Sequence, residues 1–404
     1  MQKITLISLS TPTKCNVRAA SALPYMLISN APDDIKFTVY SFNFNNIQSE
    51  DIKNIESQLG VSIHILKRPW WEKWLFKLHL LFLRVFMRYP LLAYYSLSAE
   101  DKEHINNEHS DVIWIYGEEL AGLTKSFPGR KHIVTMPDCE AMYYYRLLKM
   151  NFSTGSLSKI LRYSIAYYKY RCMEHDNCSS DTLFHFVGKE DADFYNTINP
   201  QAKGIFLSHP VSRPLQIKKD FHFHDRIRLV IAGRYDIYQR QATDELVSAM
   251  LSAGKGLSES FCITFLGKNW HEAAQRLIAS GWNVEIKEWV DDYSAELQRH
   301  DIEIAPVSVG TGTKGKVLDA FANGLLVIGT PYALENISAK NGETAFCYKK
   351  AEEAVEILKD IMKNTTYYED MAERGQKTVL SLHDAGMISA KLFHKICKSV
   401  MQGA

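Results

Sequence analysis

The stretch from Ile304 to Thr330 constrains the chain most. It reads Ile304-Ala-Pro-Val-Ser-Val-Gly310-Thr-Gly-Thr-Lys314-Gly-Lys316-Val-Leu-Asp319-Ala-Phe-Ala-Asn-Gly324-Leu-Leu-Val-Ile-Gly-Thr330. It begins as a short buried strand, becomes a Gly/Thr loop and runs into an amphipathic helix. The apolar run Leu325 to Ile328 then reads as the next parallel strand. A loop that opens a helix between two parallel strands is an anion site, because free backbone N–H groups and the positive end of the helix dipole point into it. Gly310, Thr311, Gly312 and Thr313 supply the loop, and Lys314 and Lys316 add side-chain charge. Asp319 follows one turn later on the side of Lys316, placed to accept hydrogen bonds from ribose hydroxyls. Anion cradle and hydroxyl acceptor together suit a nucleoside diphosphate. The plainer alternative is an α/β loop with surface lysines, and the agreement of several consecutive elements favours the nucleotide site. Neither G-x-x-x-x-G-K-[ST] nor a G-x-G-x-x-G after the first strand is present.

The segment resembles the donor site of GT-B glycosyltransferases, especially the large retaining family four. Those enzymes carry an apolar strand ending in Pro, a Gly-rich loop, a basic position, and then K-hydrophobic-L-E-A-hydrophobic-A-x-G-x-P-V. The chain matches with Lys316-Val-Leu-Asp319-Ala-Phe-Ala-Asn-Gly324. Asp319 stands for the usual Glu, Thr311 where many members place another Glu, and Leu326 at the usual Pro. The resemblance implies an α/β chain of two Rossmann-like domains facing across a cleft, with the donor on the second. It spans residues 180 to 345 well and the N-terminal half only in element order.

Composition fits that size. A chain of 404 residues with 46% hydrophobic and 23% charged residues holds two globular domains. A net charge of +1 gives no argument for nucleic acid. Seven cysteines, an odd number with no C-x-x-C pair, point to a reducing compartment rather than a disulfide framework. The apolar part of Met1–Ser10 is too short for a signal peptide and reads as a first strand. No uninterrupted run of about 18 apolar residues suggests a spanning helix.

Lys3 to Ser10 reads as a strand and Asn16 to Ser29 as a helix. Thr13 and Lys14, in the loop between them, sit where GT-B enzymes face the cleft, and an ordinary capping turn accounts for them equally well. Further strands are expected at Lys36 to Phe42, Ser62 to Leu66, Asp111 to Tyr116, Lys131 to Met136, Thr182 to Val187 and Gly204 to Leu207. Asp138 follows a strand's carboxyl end, on the ligand-facing edge of an α/β domain. The resemblance implies an acceptor-hydroxyl contact or base there, and helix capping is the alternative. Residues 68–96 carry Trp70, Trp71 and Trp74 among Lys73, Lys77, Arg84 and Arg88. A basic amphipathic helix with interfacial tryptophans suits an anionic membrane surface, and a packed helix with outward Lys and Arg stems is the alternative.

Ser208 to His224 reads as a linker. His222 and His224 alternate within it, and two histidines without a third ligand make a weak metal case. The second domain opens with a strand from Arg226 to Ala232, followed by Gly233-Arg234 and a loop with Arg240. In the family, Arg and a downstream Lys hold the donor diphosphate at this place, so Arg234 matches directly and Arg240 loosely. Glu288-Trp289-Val290-Asp291-Asp292 resembles the G-x-V-x-D turn whose Val-like position meets the nucleobase, which assigns that contact to Val290. Asp291 and Asp292 read as helix-capping acids.

The domains expected are 1–210 for the acceptor, 225–380 for the donor, and a C-terminal helix, 381–404, returning to the first. The implied reaction moves a sugar from a UDP- or GDP-linked donor to a hydroxyl of a bacterial glycolipid or polysaccharide intermediate of the lipopolysaccharide or capsule kind. It proceeds with retention and without metal or cofactor. Asp138, Arg234 and Lys316 are its expected catalytic groups, in the cytoplasm or on the cytoplasmic face of an inner membrane. A nucleotide-sugar epimerase of the same fold and a non-catalytic, degenerate transferase acting as a binding protein are the alternatives.

Overall fold

Short runs rich in β-branched and aromatic residues alternate with amphipathic helices, and each run becomes a strand whose neighbours are all parallel. The computed structural model describes residues 2–14, 20–152, 156–211 and 226–401. Two compact units emerge: residues 1–210 with 385–404, and residues 211–384.

The first unit is built on seven parallel strands: β1 (Gln2–Ser8), β2 (Ile35–Ser41), β3 (Ser62–Ile65), β4 (Val112–Tyr116), β5 (Lys131–Met136), β6 (Thr182–Phe186) and β7 (Lys203–Phe206), in the order β3-β2-β1-β4-β5-β6-β7. Central strands buried on both faces read as unbroken apolar runs, and Val112-Ile-Trp-Ile-Tyr116 is buried at every position. The terminal helix Ala385–Met401 covers one face. Its Ile388, Leu392 and Phe393 join Ile4, Leu6, Phe37 and Trp114 in one core cluster. Phe393 is fully buried, with its ring 5.1 Å from Phe37 and 5.6 Å from Trp114.

The second unit has six parallel strands: β8 (Ile227–Ala232), β9 (Phe261–Leu266), β10 (Asn283–Lys287), β11 (Ile302–Ala305), β12 (Leu326–Gly329) and β13 (Phe346–Cys347), in the order β10-β9-β8-β11-β12-β13. One face packs Leu246, Met250 and Leu358 against β8 and β9. The other packs Val317, Leu318 and Phe321 from the helix Gly315–Ala322 against β8 and β12.

Residues 68–96 depart from the expected single helix. An α-helix covers only Trp70–Lys77. His79 then takes a left-handed φ of 53°, and two 3-10 turns follow, Leu80–Phe86 and Leu91–Tyr94. Trp71 turns inward, its ring 5.5 Å from Tyr95. The expected helix from Asn16 is seen as Ala22–Ser29, with 15–19 outside the described residues. His222, His224 and most of the expected linker, 212–225, also lie outside them. No helix among the described residues is long and apolar enough to cross a membrane.

Phe393→Ala removes a large fully buried ring, and a loss of about 3–5 kcal/mol is the range for such a cavity. Denaturant unfolding should therefore show a large fall in the midpoint of the first unit with the second unit's transition in place. An unchanged midpoint would mean that the terminal helix is not part of that core.

Candidate donor site and acceptor-side groups

In the second sheet the chain runs outward from β8 to β9 and β10, then returns to place β11 on β8's other side. The connections after β8 and β11 therefore leave in opposite directions, and ligands of open α/β sheets bind at such a switch point, beyond the carboxyl ends of the strands. The two loops there are Gly233–Arg240 and Pro306–Lys314. Both hold predicted residues.

Backbone packing fixes the first loop. Gly233 has φ 131° and Gly267, just past β9, has φ 133°. A Cβ on Gly267 would lie 1.9 Å from the Gly233 carbonyl oxygen, so only glycine fits the close approach. The same oxygen accepts a hydrogen bond from Trp270 Nε1 at 2.9 Å. Arg234 projects to solvent and makes no hydrogen bond or ion pair with the described residues. Arg240, at the start of the helix Arg240–Ser252, lays its guanidinium over the Tyr235 ring, 4.9 Å from the centroid.

Side chains stitch the neighbouring loops together. The Ser308 amide donates to the Tyr238 carbonyl at 2.6 Å, and Ser308 Oγ accepts from the Ala242 amide at 2.9 Å. Thr330 Oγ1 donates to the Val307 carbonyl at 2.7 Å, and Asn336 Nδ2 to the Gly312 carbonyl at 3.0 Å. Gly310, Thr311 and Gly312 are buried, with Gly312 at φ 60°, and Thr313 is half-buried. Lys314 folds back on its own loop, its Nζ donating to the carbonyls of Thr311 at 2.7 Å and Gly312 at 3.1 Å. A cation expected to meet phosphate thus also serves to shape the loop.

Lys316 opens the helix Gly315–Ala322 and keeps solvent access although protein surrounds its ammonium. Desolvation pulls its pKa down, opposed by Glu303, Asp236 and Asp319. Burial pushes the Asp319 carboxyl up to about 7 against the pull of Lys316. Glu303, in β11 beneath them, is raised well above the carboxylate range by burial, and its Oε2 has no partner among the described residues. Sequence reading missed Glu303. Its signal was a lone acid in Ile302-Glu-Ile-Ala305, a strand buried at every position. Beyond β10, Trp289 is 74% exposed and Val290 packs half-buried against the core cluster that contains Val317 and Phe321. Asp292 caps the helix Tyr293–Leu297, accepting from the Ala295 amide at 2.9 Å, as a first-turn acid should.

The first sheet has its own switch point between β1 and β4. After β1, Thr13 is buried, its hydroxyl 2.9 Å from Ser21 Oγ, so it serves the turn. Lys14 is the exposed member of the pair. After β4 and β5 an acidic group gathers, Glu118, Glu119, Glu140 and Glu174: the half-buried Asp138 acts on Glu119 and Glu140, Glu140 acts on Glu118, and Glu174 acts on both Glu118 and Glu140. Burial raises the pKa of all four, and Asp138 adds to the rise at Glu119 and Glu140. Glu118 Oε2 accepts from the Glu140 amide at 3.5 Å and Glu174 Oε1 from the Ala141 amide at 3.0 Å. Glu140, raised to about 8, and Glu174, raised to about 7, keep protons into the neutral range. Glu118, Glu119 and Glu140 follow strand ends and were legible on that ground. Glu174, late in the helix Leu157–Asn177, carried no local signal.

One further set has metal-ligand spacing: His64, His104 and Glu108 offer ligand atoms within 4.8 Å of one another. Tyr40 Oη bonds His104 Nδ1 at 2.8 Å and Thr38 Oγ1 donates to Glu108 at 3.2 Å. This cluster lies on β2, β3 and a flanking helix, not on the loops of either switch point.

Residues 226–364 match the family model described as glycosyl transferases group 1. No curated protein matches the chain. Among solved structures, HepE of Anabaena in complex with UDP is 11% identical with a TM-score of 0.64, covering 98% of this chain and 100% of that one. Sucrose-phosphate synthase from Thermosynechococcus elongatus is 11% identical at a TM-score of 0.68, with both chains covered completely. A glycosyltransferase from Rickettsia africae is 12% identical at 0.64, covering 100% and 99%. At these identities the likeness establishes the fold, GT-B with two Rossmann-like domains. The second unit therefore carries the match to glycosyl transferases group 1, and the chain as a whole has the GT-B fold.

Proposed function

We propose that the chain moves a sugar from a UDP- or GDP-linked donor to a hydroxyl of a glycolipid or polysaccharide intermediate, with retention at the anomeric carbon and no metal. The observation that carries the donor half is Lys316. It stands at a helix N-terminus on the switch point, desolvated yet open to water, with Arg234 on the adjoining loop. As the glycosidic bond breaks, negative charge grows on the diphosphate. An ammonium, a guanidinium and a helix dipole aimed at that charge stabilise it electrostatically. HepE is solved with UDP and with UDP-glucose, which favours a uridine nucleotide here. Val290 and Trp289 would flank the base, and Asp319 would accept from the ribose. On the acceptor side, Asp138 as its carboxylate would receive the hydroxyl's proton, with Lys14 on the neighbouring loop. Retention and the glycolipid or polysaccharide acceptor rest on family resemblance.

Lys316→Ala should leave the unfolding midpoint in place and cut donor turnover by about 10²–10³, the cost of one such donor group. Donor consumption at the wild-type rate would refute the role.

Asp319 gives a pH dependence of stated sign. Its carboxyl, at about 7 in the free protein, must be ionised to accept from two ribose hydroxyls. Nucleotide-sugar affinity should therefore rise as pH increases from about 6 and level off above about 7.5, losing up to about tenfold per unit on the acid side. Calorimetry should find that slope in the wild type and a flat profile in Asp319→Asn. A nucleotide sugar is the right probe, because its diphosphate has no terminal monoester ionisation in that range. A flat wild-type profile would remove Asp319 from the site.

A further inference from the structure

We infer that the first unit docks on an anionic phospholipid bilayer through an apolar, basic face made of residues 70–88 and the helix Leu157–Asn177. The turn Leu80-Leu-Phe-Leu-Arg-Val-Phe86 has six apolar residues in seven and buries none of them. Phe86 is 83% exposed and Phe82 60%. Trp70 and Trp74 share one side of the helix Trp70–Lys77 and stand 75% and 52% exposed, although Trp71 in the same helix is packed. Water-exposed surface of this kind is a standing cost unless something covers it.

The second helix extends the same face. Lys169 Nζ bonds the Arg84 carbonyl, and Asp176 Oδ2 takes Arg88 at 2.6 Å and Tyr89 Oη at 2.7 Å, clamping the turn to the helix. On that helix Leu157, Leu161 and Tyr168 recur at helical spacing on one side and are 80%, 61% and 63% exposed. The stripe they form is about 17 Å long.

Charge decides what covers the face. Between Arg68 and Tyr89 the only acid is Glu72, and between Lys149 and Met173 there is none, in a chain of net charge +1. Arg88 is neutralised by Asp176 and Arg68 lies 3.7 Å from Glu72. Lys73, Lys77, Arg84, Lys159 and Arg162 are exposed with no carboxylate partner among the described residues. Tryptophans beside lysines, with aliphatic and phenyl groups outermost, match the layering of a lipid headgroup zone, where rings sit among the headgroups and cations meet phosphate. A protein partner would need its own acidic rim and apolar centre; an anionic bilayer supplies both without a matching shape.

The placement bears on the acceptor, and this clause rests on the transferase reading. The helix that carries the stripe also carries Glu174 at its far end, in the acidic group with Glu118 and Glu140. Docking would hold the acceptor edge of the first unit about 26 Å along one helix from the lipid-facing Leu157, within reach of a headgroup-linked glycan.

Co-sedimentation of the full chain tests the docking. The protein should pellet with vesicles of equal parts phosphatidylglycerol and phosphatidylcholine and stay in solution with phosphatidylcholine alone. Trp70→Ser/Trp74→Ser/Phe86→Ser should lose most binding. Lys73→Glu/Lys77→Glu/Lys159→Glu should lower the partition coefficient by at least about a hundredfold, since each basic residue contributes about 1 kcal/mol. Both variants should keep the wild-type thermal shift with UDP in the absence of vesicles, which excludes misfolding. Wild type remaining in solution with anionic vesicles, or variants pelleting as wild type does, would overturn the proposal. So would light scattering that shows a wild-type dimer undone by the Trp/Phe variant with no vesicle binding. Failure of UDP binding or donor turnover with vesicle binding intact would instead strike the transferase reading.

Discussion

Parallel strands cannot be joined by tight hairpins, so every connection in both sheets has to cross a face and return. That requirement sends all carboxyl ends to one edge of each sheet and leaves their loops side by side there. Where the winding reverses, between β8 and β11 and again between β1 and β4, two adjacent loops part and leave a place for a ligand. The loop that carries Arg234, the helix start that carries Lys316 and the acidic group that includes Asp138 all lie on such edges. The rest of each unit serves to hold that edge still.

Desolvation is the second theme of those edges. Glu303, Lys316 and Asp319 stand close together with too little water to ionise at their ordinary values. A lone buried charge is costly, and these groups compensate one another in part: the carboxyls favour the charged form of Lys316, and Lys316 pulls both carboxyls down. On the first unit burial and mutual repulsion raise neighbouring carboxyls together.

Much of this was legible beforehand. Alternating apolar runs and turn signals located the strands to within a residue or two, because a strand buried on both faces has almost no freedom of composition. Gly233 and the Gly310–Gly312 loop were visible as sites where backbone must turn or approach closely. Other roles were misjudged. Lys314 looked equivalent to Lys316, yet its ammonium is spent on two loop carbonyls. Of the two readings of Thr13, its bond to Ser21 favours the turn. The segment from Trp70 to Tyr94 looked like one helix, and His79 breaks it.

The sequence by itself determined the order of strands and helices along the chain and the α/β class. Those depend on local composition and period, which a reader of one chain can follow. Only tertiary structure decided which of two neighbouring lysines meets solvent, that Glu303 lies under the loop, and that Glu174 bonds the Ala141 amide from more than thirty residues away. Such choices turn on what the far side of each group touches. Burial and the partners it brings are set by packing between distant segments, and no spacing along the chain encodes them.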